Sequence, residues 1–566
     1  MAKIAKHLEV KARHIYKPEI EKCPHCQEPL QERAYYQWRK TVQQLDGAIY
    51  VASRAKECAN PACDHQGYPY ISAAAQMITV PECTYGLDVI AQVGWWRDRE
   101  HLNREQIHAY LAGYGVQLCE RQVDHLYAQY QVLLGCAARL DKEKLAQVAE
   151  DQGGLRISID GLAPEGAAEQ LWVVREVQTA TTLVVGWLPR VNHTTLAVLL
   201  EPVQALGLSI AATVSDKQSS VRKALQEVWG DVPHQWCQSH YLGNATRPIY
   251  ERDSSLKTEM RKTIRAEIRE STGDVLTATE AGDCDPQIVT GAAVDAVPLP
   301  EDPHEPATCA EVVRELALDL QQALARTGRA PFVLSGLPMF DDLCAIQHAL
   351  EQCLQIRDDP HLREWYEVLE RTLPQYRSPF AEVETARAWV ADIADILDVP
   401  FPTDDEPGLG GDEVARRMAH HLGSLADLDD LSPWLMKFRH DLLARSERYW
   451  SGLFHCYNIV GLPATNNEHE SLYGQVKRQL RRQLGVSDLR EPLLRRGAWT
   501  VLQIDVSSPA ELQARLEQVR WEEYAAERAR YERRQAQFRR RYRWRHHRDA
   551  VLQQRVADWA EAVPDC

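Results

Sequence analysis

Residues 155–189 read LRISIDGLAPEGAAEQLWVVREVQTATTLVVGWLP, and the fold turns on how this stretch is read. It holds three short runs, LRISID, LWVVREVQ and TTLVVGWLP, rich in branched and aromatic residues and parted by Gly, Pro and Ala. Such runs read as strands following one another through hairpins. Downstream, HTTLAVLLEPVQALG has a helical period, LSIAATVSD reads as a strand, SSVRKALQEVWG as a helix and HQWCQ as a short strand. Three hairpin strands, then helix, strand, helix and strand, predict a mixed α/β sheet.

Asp160 ends the first strand of this series and Asp216 ends the fourth. Strand C-termini open into the crevice where α/β sheets hold their sites. Singly, each aspartate would more often close a turn or cap a helix. Together with a glutamate on a nearby helix they form a different object. Three converging carboxylates repel one another unless hard cations compensate, and oxygen ligands with open positions suit Mg²⁺ or Mn²⁺. Two such ions about 3.5–4 Å apart support in-line attack on a phosphodiester.

The glutamate is sought in PATNNEHESLYGQVKRQLRRQLG, residues 463–485, where carboxylates precede a ladder of cations on one helix-like stretch. On a helix Glu470, Tyr473 or Gly474, Lys477 and Arg481 share a face, with Arg478 and Arg482 beside it. By itself this reads as a solvated basic face.

The ordered set ISID at Asp160, VSD at Asp216, Cys237-x-x-His240 and TNNEHES resembles the DDE transposases, whose catalytic domain is ribonuclease-H-like. The nearest resemblance is to Mutator-type and related bacterial insertion-sequence transposases. It covers roughly residues 155–245 and 460–485. It implies Asp160, Asp216 and Glu470 as catalytic ligands of two Mg²⁺ or Mn²⁺ ions, with Glu468 the register alternative to Glu470. It implies a helical insertion between the second aspartate and the glutamate. For Cys237 and His240 it implies a role near the active site, structural or on DNA; read as residues alone, they are equally half a metal site or ordinary packing. Lys477, Arg478, Arg481 and Arg482 would follow the DNA backbone. The activity implied is metal-dependent cleavage at the element's ends and strand transfer into target DNA. The partners implied are terminal inverted repeats, target duplex and at least one further copy of the chain. A transposase-derived DNA-binding regulator, or a ribonuclease-H-like nuclease without strand transfer, would share many of these features.

Near the N-terminus, Cys23-x2-Cys26 and Cys58-x4-Cys63 supply two close thiol pairs. Their spacing predicts a structural Zn²⁺ site of the ribbon type, with His25, His65 and Cys83 as substitutes. The intervening residues mix aromatics with Arg and Lys, as a small DNA-contacting ribbon would. This first region otherwise reads as short and irregular. NREQIHAYLAG and VQLCERQVDHLYAQYQVLL, across a glycine-bearing break, predict two helices that could form a helix-turn-helix or a plain helical hairpin.

The expected layout is a zinc module (1–80), a helical module (81–150), the first part of the catalytic core (151–245), a helical insertion (246–460), the last part of the core (461–505) and basic C-terminal helices (506–566). A stretch without Lys or Arg, residues 271–309, reads as a loosely held acidic loop.

The chain has 566 residues and a net charge of −16, which superficially disfavours nucleic acid. The charge is segregated, however: AERARYERRQAQFRRRYRWRHHR near the end carries ten arginines against two glutamates. That stretch reads as a solvated, coiled-coil-like helix or as an arm on phosphates. Fourteen cysteines are too sparse for a disulfide scaffold. No apolar run reaches the roughly 20 residues needed to span a bilayer, and the N-terminus lacks a signal-peptide core. The expected location is the cytoplasm, at the nucleoid.

Overall fold

A computed structural model describes residues 8–137, 142–164, 166–167, 169–280, 308–502 and 506–561. The chain divides into two compact units, Met1–His234 with Asn466–Cys566, and Gln235–Thr465.

The first unit opens with a four-stranded sheet: β1 (Val10–Tyr16), β2 (Leu30–Gln44), β3 (Gly47–Cys58) and β4 (Pro69–Tyr70). β3 lies between β1 and β2 and also pairs with β4. This region is therefore a sheet with ordered turns, where the sequence suggested irregular chain. The signal was hidden because β2 is largely exposed and its register with β3 shifts twice, which breaks the alternation that marks a half-buried strand.

Helices α1 (Ala73–Met77), α2 (Leu87–Asp98), α3 (Arg104–Gly113), α4 (Glu120–Ala137) and α5 (Lys142–Asp151) follow. Asn103 and Gln106 form a reciprocal cap at the start of α3. The predicted pair is thus α3 and α4. The C-terminal part of α4, from Gln131 to Ala137, is buried on every side, so only its first turns reach the surface.

The second sheet contains β5 (Leu155–Leu162), β6 (Gln170–Glu176), β7 (Thr182–Leu188), β8 (Ile210–Ser215) and β9 (His234–Trp236), in the order β7-β6-β5-β8-β9. β5, β6 and β7 are antiparallel neighbours, whereas β5 and β8 are parallel, joined through α6 (His193–Gln204). The predicted mixed sheet and its order of elements are present. Alternation splits β5 between two cores. Leu155, Ile157 and Ile159 pack with Leu196, Leu200 and Val203 of α6 and with Val221 and Leu225 of α7 (Ser219–Trp229).

The even-numbered side of β5 faces a larger core. There Leu162, Leu171, Val173 and Val185 join residues of helices that come later in the chain. Leu472 and Val476 come from α15 (Asn467–Leu484), and Leu493 and Trp499 from α16 (Arg490–Thr500). Leu512 comes from α17 (Pro509–Leu516), and Tyr524 and Tyr531 from α18 (Trp521–His546). A last helix, α19 (Arg548–Glu561), has no buried residue. The arginine-rich α18 is partly structural: Arg534 is buried, bonded to Glu169 and the Leu494 carbonyl, and its guanidinium lies 4.1 Å from the Trp187 ring centre.

The second unit is helical: α8 (Gln238–Glu280), α9 (Cys309–Ala325), α10 (Gly336–Ile356), α11 (Pro360–Thr372), α12 (Pro374–Leu397), α13 (Gly411–Ala426) and α14 (Pro433–Tyr449). Buried Asp253 on α8 accepts N–H bonds of 3.0, 2.7 and 2.6 Å from Ser335, Gly336 and Leu337, which satisfies the open start of α10. The first ten residues of the expected acidic loop, 271–280, continue α8 as helix. Residues 281–307 lie outside the described residues. No helix among the described residues is long and apolar enough to cross a membrane.

Candidate functional site

β5 and β8 run side by side with Arg156 opposite Ala212, Ile157 opposite Thr213 and Ser158 opposite Val214. Two residues further along each strand are Asp160 and Asp216. Extending the register of these two parallel strands puts both aspartates at one level, Asp216 just past the end of β8 and Asp160 still inside β5, which runs on to Leu162 where the sequence suggested a stop at Asp160; both are partly exposed. The N–H of Gln218 reaches Asp216 Oδ1 at 3.3 Å as α7 begins.

α15 crosses the same side of β5. Asn466, buried before its first turn, donates to the Ile159 carbonyl at 3.2 Å, and Tyr473 donates its hydroxyl to the Asp160 carbonyl at 3.0 Å. The face turned to the sheet is His469, Leu472, Tyr473, Val476, Leu480 and Gln483, all buried. Gly485, with φ of 65°, ends the helix in the left-handed conformation that glycine adopts without strain.

The two glutamates flank that face. Each residue turns a helix by about 100°, so Glu468 and Glu470 leave on opposite sides of His469. Glu468 accepts a 2.6 Å hydrogen bond from Ser158 and lies 3.5 Å from the buried Arg175 of β6. Its flank is therefore the β6 side. Glu470 is exposed on the other flank of the helix and takes no part in that network. Gly474, Lys477 and Arg481 follow Glu470 on that flank at helical spacing. Tyr473, the other residue considered for that position, is turned inward instead. A Cβ on Gly474 would meet only the end of Arg478, at 3.5 Å, so packing does not demand glycine there. Lys477, Arg478, Arg481 and Arg482 make no ion pair with a described residue, and the three arginines are exposed.

Burial and the nearby Arg175 cation push the His469 imidazole down to about 3, so the ring is neutral near pH 7. Its Nε2 lies 2.9 Å from Ser158 Oγ, whose proton is already committed to Glu468. The Nε2–H tautomer, donating to Ser158, completes this network. Burial and the charge of Asp160 raise the Tyr473 phenol well above its ordinary value, which keeps it a hydrogen-bond donor.

Cys237 and His240 belong to the second unit. Cys237 is wholly buried and His240 is exposed on the first turn of α8. Of the pair, only His240 has surface with which to meet DNA.

Cys23, Cys26, Cys58 and Cys63 converge, with every sulfur within 4.8 Å of the others. Cys23 and Cys63 are 3.9 Å apart and Cys26 and Cys58 are 3.6 Å apart. Tetrahedral Zn–S bonds of about 2.3 Å require sulfurs roughly 3.8 Å apart, so the donor set fits Zn²⁺. Burial opposes ionisation of Cys23, but the N–H groups of Cys26 and His25 favour its thiolate and bring it down to about 6. His25 and His65 stack on each other at 3.5 Å beside the cluster, so the four cysteines suffice without them. Among the described residues, Asp160, Asp216 and Glu470 are not gathered as tightly as the cysteines. The oxygen chemistry of the three, and the shared level of the two aspartates, suit divalent cations, whose charge would offset carboxylate repulsion.

No family model and no curated protein sequence matches this chain. Among solved structures it is similar to the Drosophila P element transposase strand transfer complex, at 11% identity over 77% of this chain and 91% of that chain, with a TM-score of 0.29. A likeness of that size fixes neither a fold nor an activity.

Sequence reasoning missed Ser158, Arg175 and His469, and it named Tyr473 only for the Glu470 face and not for its bond to the Asp160 carbonyl. Ser158 lies two residues before Asp160, and strand alternation puts both on one face, a signal that was readable. Arg175 needs the β5–β6 register, in which it is the partner of Ser158, and no sequence pattern supplies that.

Proposed function

We propose that this chain is a DDE-type transposase, with a ribonuclease-H-like core, that cleaves DNA at the ends of its element and joins them to target DNA. The observation that supports the reading is the β5–β8 register, which puts Asp160 and Asp216 at one level beneath α15, whose first turn carries an exposed Glu470. Asp160, Asp216 and Glu470 would hold two Mg²⁺ or Mn²⁺ ions, which supply activation of a water or 3′-hydroxyl and stabilisation of the leaving oxygen.

The remaining residues position and steer. Asn466 and Tyr473 fasten α15 to the backbone of Ile159 and Asp160, so helix and strand hold their carboxylates in fixed relation. Glu468, tied to Ser158 and Arg175, anchors the start of the helix and leaves Glu470 outside that network. Lys477 and Arg481 take DNA phosphates beyond the scissile bond. The zinc module, and the exposed first turns of α4, would bind terminal inverted repeats, and two or more copies would hold both ends.

The test uses purified full-length protein and DNA flanking its own gene, with Mg²⁺, Mn²⁺ or EDTA, and sequencing of cut ends and joints to a target plasmid. Metal-dependent nicks at defined ends, joined to target and absent with Asp160→Asn, are expected. Specific binding without cleavage under either metal would reject the enzyme reading, and cleavage without joining would reduce it to a nuclease.

A further inference from the structure

Between Glu32 and Trp38 the pairing of β2 slips twice. β2 advances from Glu32 to Tyr36 while β3 moves only from Lys56 to Arg54, then from Tyr36 to Trp38 while β3 moves to Ser53. Bulges of this kind re-aim side chains, and here two consecutive tyrosines both face solvent: Tyr35 is 57% and Tyr36 41% exposed. β2 is also an outer strand of its sheet.

Arg33 fastens this bulged segment to the second cysteine turn. Its guanidinium donates to the Tyr35 hydroxyl at 2.9 Å, to the Gly67 carbonyl at 2.8 Å and to Glu57. Next to Gly67 stands Tyr68, 52% exposed, whose ring packs edge-on against His65. Exposed aromatic surface therefore runs from the bulge to the zinc cluster. Cations accompany it: Arg54 lies 5.9 Å from the Tyr36 ring and Arg33 5.6 Å from the Tyr35 ring.

We propose that this surface binds single-stranded nucleic acid, with bases stacked on Tyr35, Tyr36 and Tyr68 and phosphates against Arg54 and its neighbours. The tyrosines are not needed by the core, since all three are exposed, and aromatic planes interleaved with cations are what unpaired bases on a charged backbone require. Duplex DNA keeps its bases stacked inside and would gain only the cations. The proposal extends the DNA partnership proposed above, and it is independent of the carboxylates.

The test measures binding of a fluorescent oligothymidylate roughly 16 nucleotides long to the full chain. Tyr35→Ala/Tyr36→Ala/Tyr68→Ala is compared with the matching triple phenylalanine variant, and zinc content is measured throughout. The alanine variant is expected to lose affinity by at least about tenfold, with the phenylalanine variant within about threefold of wild type, because stacking needs the ring and not the hydroxyl. Unchanged affinity in a zinc-loaded alanine variant overturns the proposal, as does absence of oligothymidylate binding by the wild type. If the triple alanine variant loses zinc, Tyr36→Ala alone decides, by the same loss or its absence. The two readings fail separately: cleavage retained by Asp160→Asn rejects the transposase reading and leaves this proposal standing, while the affinities of the tyrosine variants alone decide this one.

Discussion

Ser158 Oγ donates a 2.6 Å hydrogen bond to Glu468 Oε1, joining β5 to α15 across 310 positions of sequence. Ser158→Ala removes a bond to a carboxylate and strips the buried His469 Nε2 of its partner. The expected cost is about 2–3 kcal/mol, read as a lower unfolding midpoint in urea. An unchanged midpoint would mean that this joint does not hold α15 in place.

His469 gives stability a pH dependence with a definite sign. Its imidazole is held down to about 3 in the fold by burial and Arg175, against about 6.5 unfolded, so between these values the unfolded chain binds the extra proton. The stabilisation is complete above pH 6.5 and is lost as pH falls towards 3. From pH 7 to pH 5 the loss is roughly 2 kcal/mol. His469→Gln should flatten this part of the stability profile, and equal slopes in variant and wild type would contradict the assignment.

The cysteine cluster predicts one Zn²⁺ per chain by elemental analysis. Cys23→Ser or Cys58→Ser should lose it, with loosening of the β1–β4 sheet seen as faster amide exchange there. His25→Ala should retain full zinc, because the four sulfurs already close the tetrahedron.

Lys477 and Arg481 predict a change in salt dependence. Removing two phosphate contacts with Lys477→Ala/Arg481→Ala should make the slope of log K against log salt shallower by roughly 1.8 and weaken duplex binding across sequences. An unaltered slope would place the DNA elsewhere.

The β5–β8 series was readable in the sequence because Leu155, Ile157 and Ile159 alternate with polar residues along β5, while Leu171–Val174 of β6 is an unbroken apolar run. α15 was readable from its Gly485 stop and its basic spacing. The N-terminal sheet was not, since β2 carries seven exposed residues along its length and is bulged where alternation would have shown. The partition of roles between Glu468 and Glu470 was also out of reach. Both lie in the first turn of one helix, and only the position of Arg175 on the neighbouring strand tells which flank is which.

In the proposed transposase Glu470, with Asp160 and Asp216, forms the reacting site while Glu468 is a positioning residue. Cleavage of element-end DNA in Mn²⁺ by Glu470→Gln, run beside Glu468→Gln, tests it most directly. The account predicts a loss of about a thousandfold or more for Glu470→Gln, and activity within about tenfold of wild type for Glu468→Gln, whose amide can still accept from Ser158. Full cleavage by Glu470→Gln, with loss in Glu468→Gln, would contradict it and move the third ligand to the β6 flank.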